Sequence, residues 1–225
     1  MKSKQLFSIM ICCFVFVTSA LSQTRYETDF QVWNDTQFII PLNKTKDWNL
    51  SVWEFGRFGN NVSTVTDARI GGLITKKINK NLTVGGGYLY RYANPTFMRK
   101  RYESRYLGLA TLTVPLGGKF TIVNRNLVQY EDRYSRLNST VIRNRVWLKR
   151  EVKIAKKLFE PFGSFESFYD SQLKDFSRVR MQAGFSHKFN NNFSGDFYYV
   201  RQNETGNKTR PGTLNGLGTS FRVNF

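Results

Sequence analysis

The chain has 225 residues, which suits one large domain. Lysine and arginine number 34 against 16 acidic residues, giving a net charge of +18, and aromatic residues make up 16%. This aromatic content excludes a disordered basic tail. With only Cys12, Cys13 and a single histidine, His187, the sequence also excludes a disulfide framework and a multi-histidine metal centre, so we predict no metal and no cofactor.

The N-terminus predicts a secretory signal peptide. Two lysines precede an apolar run, Leu6–Val17, and the small residues Ala20 and Ser22 follow it. This order of basic, apolar and small residues is typical of a cleaved signal. We expect cleavage after Ser22, which divides the chain into a signal peptide, 1–22, and a mature domain, 23–225.

Apolar and polar residues alternate with period two along the whole mature chain. Every second residue from Val179 to Phe185 is apolar, for example, while Arg178, Arg180 and Gln182 lie between them. No window of helical length carries an apolar stripe of period 3.6, so the chain is predicted to be all-β. From Trp48 onward the predicted strands are 48–58, 68–78, 82–92, 102–114, 120–130, 142–154, 159–169, 178–186, 193–202 and 216–225.

The connections between these strands fall into two alternating classes. Short turns such as Asn79–Asn81 and Asn190–Asn192 alternate with longer polar loops such as Asn94–Arg101 and Glu204–Thr213. This pattern is typical of transmembrane barrels of bacterial outer membranes, whose periplasmic turns are short. We therefore predict an up-and-down antiparallel β-barrel in the outer membrane of a Gram-negative envelope, rather than a soluble sandwich.

The N-terminal segment decides the predicted strand number. We interpret Arg25–Trp33 and Thr36–Leu42 as a hairpin that turns at Asn34-Asp35, which gives about 12 strands. An even number is expected because both termini of the barrel domain would then lie in the periplasm. The alternative is about 10 strands, with the N-terminal segment inside the barrel or along its rim.

The last predicted strand has a distinctive outer face. Phe221, Val223 and Phe225 occupy every second position up to the final residue. A strand of this form resembles the signal that outer-membrane barrels present to their assembly machinery. The alternative is an ordinary edge strand.

The inward faces of the predicted strands carry charges of opposite sign on neighbouring strands. Opposite charges on paired strands stabilise a sheet, which favours ion-paired ladders that hold the barrel in shape. The functional alternative is a narrow, porin-like conduit that favours anions, because cations exceed acids in this interior. The candidate lumen-lining charges are Arg143, Arg145, Lys149, Glu160, Glu166, Asp170, Arg178 and Arg180. Asn124, Asn126 and Arg150 break the pattern and are predicted to face lipid.

No catalytic constellation is predicted. His187 neighbours Ser186, but adjacent residues on a strand point to opposite faces, so the two side chains cannot form a nucleophile–base pair. Carboxylates such as Glu160 and Glu166 have arginine neighbours and are predicted to form salt bridges. Gly85-Gly86-Gly87 lies within a strand and precedes no helix, so it marks a bend or a close approach rather than a phosphate loop.

The opening of the predicted barrel resembles a known family. Phe30-Gln31-Val32-Trp33, Pro41-Leu42 before a turn, Trp48–Phe58 and the terminal Arg222-Val223-Asn224-Phe225 resemble the bacterial domain-of-unknown-function 2490 family. The resemblance covers nearly the whole mature chain. It implies an outer-membrane barrel without an assigned activity and transfers no catalytic residue.

Together these features predict a non-enzymatic outer-membrane barrel, either a structural or accessory component of the envelope or a narrow anion-favouring pore. The alternative is an envelope enzyme that acts on lipid or peptide at the loop face. The expected partners are outer-membrane lipid, the barrel assembly machinery and a larger envelope complex. Nucleic acid is not expected, because a secreted chain does not meet it in the cytoplasm.

Overall fold

The computed structural model describes residues 27–94, 100–154, 157–205 and 212–225. No helix among these residues is long and apolar enough to cross a membrane. The predicted signal peptide, 1–22, lies outside the described residues. The strands are β1 (Glu27–Pro41), β2 (Trp48–Gly59), β3 (Thr64–Lys77), β4 (Leu82–Ala93), β5 (Arg101–Leu116), β6 (Phe120–Arg133), β7 (Ser139–Arg150), β8 (Val152–Ile154), β9 (Lys157–Asp170), β10 (Asp175–Lys188), β11 (Phe193–Glu204) and β12 (Gly212–Asn224).

Eleven of the 12 strands within the described ranges form a closed ring. Consecutive ring strands pair antiparallel, and β1 pairs with β12 in parallel from Glu27↔Gly212 to Ile39↔Asn224. The twelfth strand, β8, pairs with β9 alone. The predicted all-β barrel is therefore confirmed, with one parallel pair at its closure.

The predicted N-terminal hairpin is wrong. β1 runs without a turn through Asn34 and Asp35, and it pairs with β2 on one side and β12 on the other. Asn34 lies on the outer face, where its Nδ2 donates a hydrogen bond to Thr219 Oγ1 at 2.9 Å. Local turn chemistry predicts a hairpin here, but a long-range ladder on both edges holds the segment extended.

The predicted number of about 12 strands is confirmed for the described residues, but the even number predicted for the closed barrel is wrong, since the ring itself has 11 strands. Because β1 and β12 are parallel, β1 starts at the end of the barrel where β12 starts. The longest connections, 94–100 and 205–211, also leave from that end, which we call the loop end. The opposite end, where β12 finishes, is called the turn end. The start of the first strand and the finish of the last therefore lie at opposite ends of the barrel.

The predicted strand 142–154 is interrupted near the turn end. β7 ends at Arg150 and β8 begins at Val152, with Glu151 between them. The Glu151 N–H donates instead to the carbonyl oxygen of Lys119 at 3.1 Å. This break leaves β8 outside the ring.

Large apolar side chains cover the outside of the barrel. Every ring strand places at least one of them on the outer face, and Ile70, for example, is 60% exposed. Because neighbouring strands all contribute such side chains, they form an apolar band around the ring. One member from each ring strand is Phe38, Val52, Ile70, Tyr88, Tyr106, Val128, Ile142, Phe165, Met181, Tyr199 and Leu217.

The glycine run of β4 marks a close approach of two strands, as predicted. A Cβ on Gly87 would lie 2.2 Å from the carbonyl oxygen of Gly72 on β3. A Cβ on Gly71 would lie 2.0 Å from the carbonyl oxygen of Tyr88 on β4. A side chain at either position would therefore force β3 and β4 apart.

The parallel closure predicts a specific cross-link. In the double variant Val32→Cys/Leu217→Cys, the two cysteines face each other across β1 and β12, and we expect a disulfide to form under mild oxidation. Mobility on non-reducing gels and mass spectrometry measure it.

Val32→Cys/Gln37→Cys is the matched control. These two positions face each other only in the hairpin, whereas in a continuous strand they are about 16 Å apart. A cross-link in this control, and none between β1 and β12, would contradict the observed closure.

Candidate functional site

The interior of the barrel is organised around Glu166 on β9. Strand register places Arg145 of β7 on one side of it and Arg180 of β10 on the other. Arg143 Nη2 lies 2.7 Å from Glu166 Oε1, Arg180 Nη1 lies 3.1 Å from Oε2, and Arg145 Nη1 lies 3.9 Å from Oε2. Only 1% of the Glu166 side chain is exposed, so one buried carboxylate serves three guanidinium groups.

A second group of ion pairs lies between Glu166 and the loop end. Asp67 Oδ2 accepts hydrogen bonds from Arg69 at 2.7 Å and from Arg91 at 2.6 Å. Arg91 also donates to Glu103 at 3.0 Å, and Arg105 connects Glu103 to Glu131. Charge-assisted hydrogen bonds of this kind are the stronger ones in proteins. The network joins β3, β4, β5 and β6 across the inside of the barrel.

The other predicted lumen residues lie away from Glu166. Lys149 and Glu160 approach to 3.9 Å near the turn end, and the Glu160 side chain is 38% exposed. Asp170 accepts from Arg133 at 3.2 Å near the loop end. Arg178 pairs with Glu204, with Nε 3.5 Å from Oε1. The eight predicted residues therefore form one buried cluster, Arg143, Arg145, Glu166 and Arg180, and three separate ion pairs.

Apolar and aromatic side chains fill much of the remaining interior. One buried cluster draws a single residue from each of β2 to β6, and the other draws its members from β1, β9 and β11. Together they form a layer that lines the inside of the ring, which we call the apolar layer. Its buried members are Trp53, Leu73, Leu89, Leu107, Leu127, Trp33, Phe162, Tyr198 and Val200.

Two of the cavities among the described residues lie between these side chains. The loop-end cavity, about 280 Å³, is lined by nine arginines and four acidic residues, among them Arg91, Glu103 and Asp170. The inner cavity, about 130 Å³, is lined by members of the apolar layer together with seven arginines and two aspartates. Arg69, Gln129, Arg143 and Arg180 line both cavities, so the two are neighbours.

Sequence reasoning misses several residues of the inner cavity. The predicted turn contains Asp35, and Arg57 is not among the predicted interior residues, yet both line this cavity. Arg57 lies with Cζ 3.8 Å from the ring centroid of Trp33. The signal that could have placed Asp35 is the unbroken alternation of Gln31, Trp33, Asp35 and Gln37, which indicates one strand.

His187 lies outside this interior. Its Nδ1 lies 2.9 Å from the carbonyl oxygen of Leu158, and its ring stacks on Phe159 with centroids 4.6 Å apart. Ser186, next in the chain, is buried on the inner face. The Ser–His pair therefore does not form. Within the described ranges, no three histidine, cysteine, aspartate or glutamate residues cluster in a way that could hold a metal ion.

Comparison with known proteins supports the fold. The family model described as "Protein of unknown function (DUF2490)" matches residues 30–211. The crystal structure of the β-domain of the Bordetella autotransporter BrkA is similar, with a TM-score of 0.51 and 10% identity, over 80% of this chain and 84% of that chain. No curated protein matches in sequence. At this identity the structural similarity concerns the fold alone.

Removing the negative charge of Glu166 is expected to lower the stability of the barrel strongly. Glu166→Gln leaves three buried arginines without their shared carboxylate, and we expect the free energy of unfolding to fall by about 3 kcal/mol or more. Urea unfolding of the barrel in detergent, followed by tryptophan fluorescence, measures it.

Glu160→Gln is the matched control, because its ion pair with Lys149 is long and partly exposed. We expect it to cost about 1 kcal/mol or less. Equal losses of unfolding free energy in the two variants would show that the buried cluster stabilises the barrel no more than the exposed ion pair does.

Proposed function

Since this chain belongs to the DUF2490 family of proteins of unknown function, its role must be inferred from its own barrel, and we propose that it is a non-enzymatic integral protein of the outer membrane. The single observation that carries the proposal is a closed ring with an apolar outside and a charged, filled inside. The short turns would face the periplasm, as they do in bacterial outer-membrane barrels.

The outer face supports placement in lipid. Exposed side chains such as Ile70, Met181 and Leu217 belong to a band that continues around all eleven ring strands. In water an apolar surface of this extent would cause aggregation, since monomeric soluble proteins rarely expose patches above a few hundred Å². In a bilayer the same band is in its preferred solvent.

Several polar side chains on the outer face are partnered. Asn126 Nδ2 donates to Asn124 Oδ1 at 2.8 Å, and Asn144 Nδ2 donates to Asn126 Oδ1 at 2.7 Å. Arg150, at the turn end of β7, lies with Cζ 4.9 Å from the ring centroid of Phe120. These contacts lower the cost of placing polar groups against hydrocarbon, which is highest at mid-depth and small near the interface.

The filled interior favours a structural or accessory role over conduction. Barrels of 16 to 18 strands leave an aqueous channel, whereas in barrels of about eight strands the side chains fill the inside. The ring of eleven lies between these sizes, and in it the apolar layer and the arginine–carboxylate network occupy the interior. An accessory role would place the barrel in a larger envelope complex.

A narrow anion pore is the second candidate. It is favoured by the surplus of arginine over acidic residues in both cavities and by the residues that line both of them. Anions that crossed the barrel would have to pass the apolar layer. In a non-conducting barrel, this layer would be the barrier.

Planar-bilayer recording separates the two candidates. We expect no stepwise current for the wild-type barrel. Trp33→Ala/Trp53→Ala removes two large buried side chains from the apolar layer, and we expect it to conduct.

Trp48→Ala is the control, because Trp48 is 40% exposed on the outside near the turn end. It should behave as the wild type does. Anion-selective current steps from the wild-type barrel would contradict the closed barrel and support the anion pore.

The outer face of β12 supports recognition by the barrel assembly machinery. Phe221 packs against Phe193, with ring centroids 5.6 Å apart, and Val223 pairs with Phe193 across the strands. Phe225 is 64% exposed, and its backbone N–H donates to the carbonyl oxygen of Ile39 at 3.0 Å. Its side chain is therefore available to a partner while its backbone continues the closing ladder.

Phe225→Ala tests this recognition. We expect several-fold less folded barrel in the outer membrane of cells, but an unchanged unfolding midpoint for purified, refolded protein, because the backbone hydrogen bond remains. Phe176→Ala, on an exposed aromatic of β10 near the loop end, is the control. Equal membrane levels for the wild type and Phe225→Ala would show that Phe225 has no role in assembly.

A further inference from the structure

The inner cavity contains polar atoms without partners. Within the described part of the chain, Trp53 Nε1, Arg57 Nε and Arg145 Nε are buried donors with no hydrogen-bond partner. The side chain of Arg57 is 9% exposed and Trp53 is 8% exposed. All three residues line the inner cavity. A buried donor without an acceptor is costly, so three around one cavity point to a ligand that accepts hydrogen bonds.

Arg125 and Arg145 form the basic side of this cavity. They lie directly opposite each other on β6 and β7, with their Cζ atoms 5.1 and 4.2 Å from the ring centroid of Trp147. Like charges in such cross-strand positions destabilise a sheet. Among the described residues, Arg125 forms no hydrogen bond or salt bridge.

A second pair of facing arginines in the same barrel shows which group the Arg125–Arg145 pair lacks. Arg69 and Arg91 also lie directly opposite each other, on β3 and β4, and Asp67 accepts hydrogen bonds from both. The carboxylate next to Arg145 is placed differently, because Glu166 accepts its hydrogen bonds from Arg143 and Arg180 and lies 3.9 Å from Arg145. The Arg125–Arg145 pair therefore lacks a bridging anion of its own.

One acceptor also lines the inner cavity. Asp35 Oδ1 is buried and has no hydrogen-bond partner in the described ranges. A carboxylate oxygen at this position repels a fully ionised anion but accepts a hydrogen bond from a protonated one. The cavity thus combines donors for an oxyanion with an acceptor for a proton on that oxyanion.

We propose that the inner cavity binds a phosphate group that carries a proton. Arg57, Arg125, Arg145 and Trp53 would donate to its oxygens, and Asp35 would accept from its P–OH. Hydrogen phosphate satisfies both requirements, whereas sulfate has no proton at neutral pH. The volume of about 130 Å³ suits a small anion, and the route from outside would pass from the loop-end cavity by Arg69, Arg143 and Arg180. This site does not depend on conduction or on any envelope partner.

Tryptophan fluorescence provides the test, because three of the four tryptophans, Trp33, Trp53 and Trp147, line the cavity. The full-length barrel in detergent is titrated with inorganic phosphate, sulfate and glycerol phosphate at constant ionic strength. We expect a saturable change with inorganic phosphate and binding of sulfate weaker by about tenfold or more. Binding of glycerol phosphate would extend the site to phosphate esters, and its exclusion would restrict the site to the free ion.

Three variants assign the roles. Arg125→Gln should abolish the response to inorganic phosphate. Asp35→Asn should bring phosphate and sulfate to within about threefold of each other, because its amide no longer repels sulfate. Arg150→Gln, outside the barrel, should bind as the wild type does.

The comparison of phosphate with sulfate uses only the wild-type barrel, so it tests the proposal even if a substitution prevents folding. Equal binding of phosphate and sulfate, no saturable response to phosphate, or unchanged binding by folded Arg125→Gln would each overturn the proposal.

Discussion

The parallel hydrogen-bond ladder between β1 and β12 is the contact on which the rest of the structure depends. An open sheet leaves two edges of unpaired backbone N–H and C=O groups, each of which costs several kcal/mol in hydrocarbon. Strands that alternate in direction around a ring of eleven require one parallel pair, and Glu27–Ile39 of β1 provides it against β12. Every other pair of neighbouring strands in the ring is antiparallel. The ladder between β1 and β12 joins the first strand of the ring to the last and so closes the sheet into a barrel.

Closure at this size determines what the interior must contain. The ring is too narrow for a wide aqueous channel and too wide for small side chains to fill. Tryptophan and leucine form the apolar layer, and arginines fill the space toward the loop end with carboxylates between them. Most of these arginines share a carboxylate, as the partners of Glu166 and Asp67 do. Arg125, which lies opposite Arg145, departs from this arrangement, because it shares no carboxylate among the described residues. This departure distinguishes the proposed ligand site from structural ion pairing.

Local pattern is sufficient to predict the fold class and the order of the charged strands. Alternation assigns the faces, and opposite charges favour the strand of Glu166 as the neighbour of the strands of Arg145 and Arg180. In the structure, Glu166 is paired with both arginines. Closure is not predictable in this way. Asn34-Asp35 has the chemistry of a turn, but pairing with β2 on one side and with β12, about 185 positions away along the chain, on the other holds it extended. Asp35 is missed for the same reason, since it lies in the predicted turn and reaches the inner cavity only because β1 is continuous.

Hydrogen–deuterium exchange of the protein in lipid nanodiscs tests the closed ring most directly. If β1 and β12 complete the barrel, amides of 27–41 and 212–224 exchange as slowly as those of β5, which is paired on both sides. Rapid exchange confined to these two segments, with the other strands protected, would mean that the sheet is open and would contradict the closed barrel.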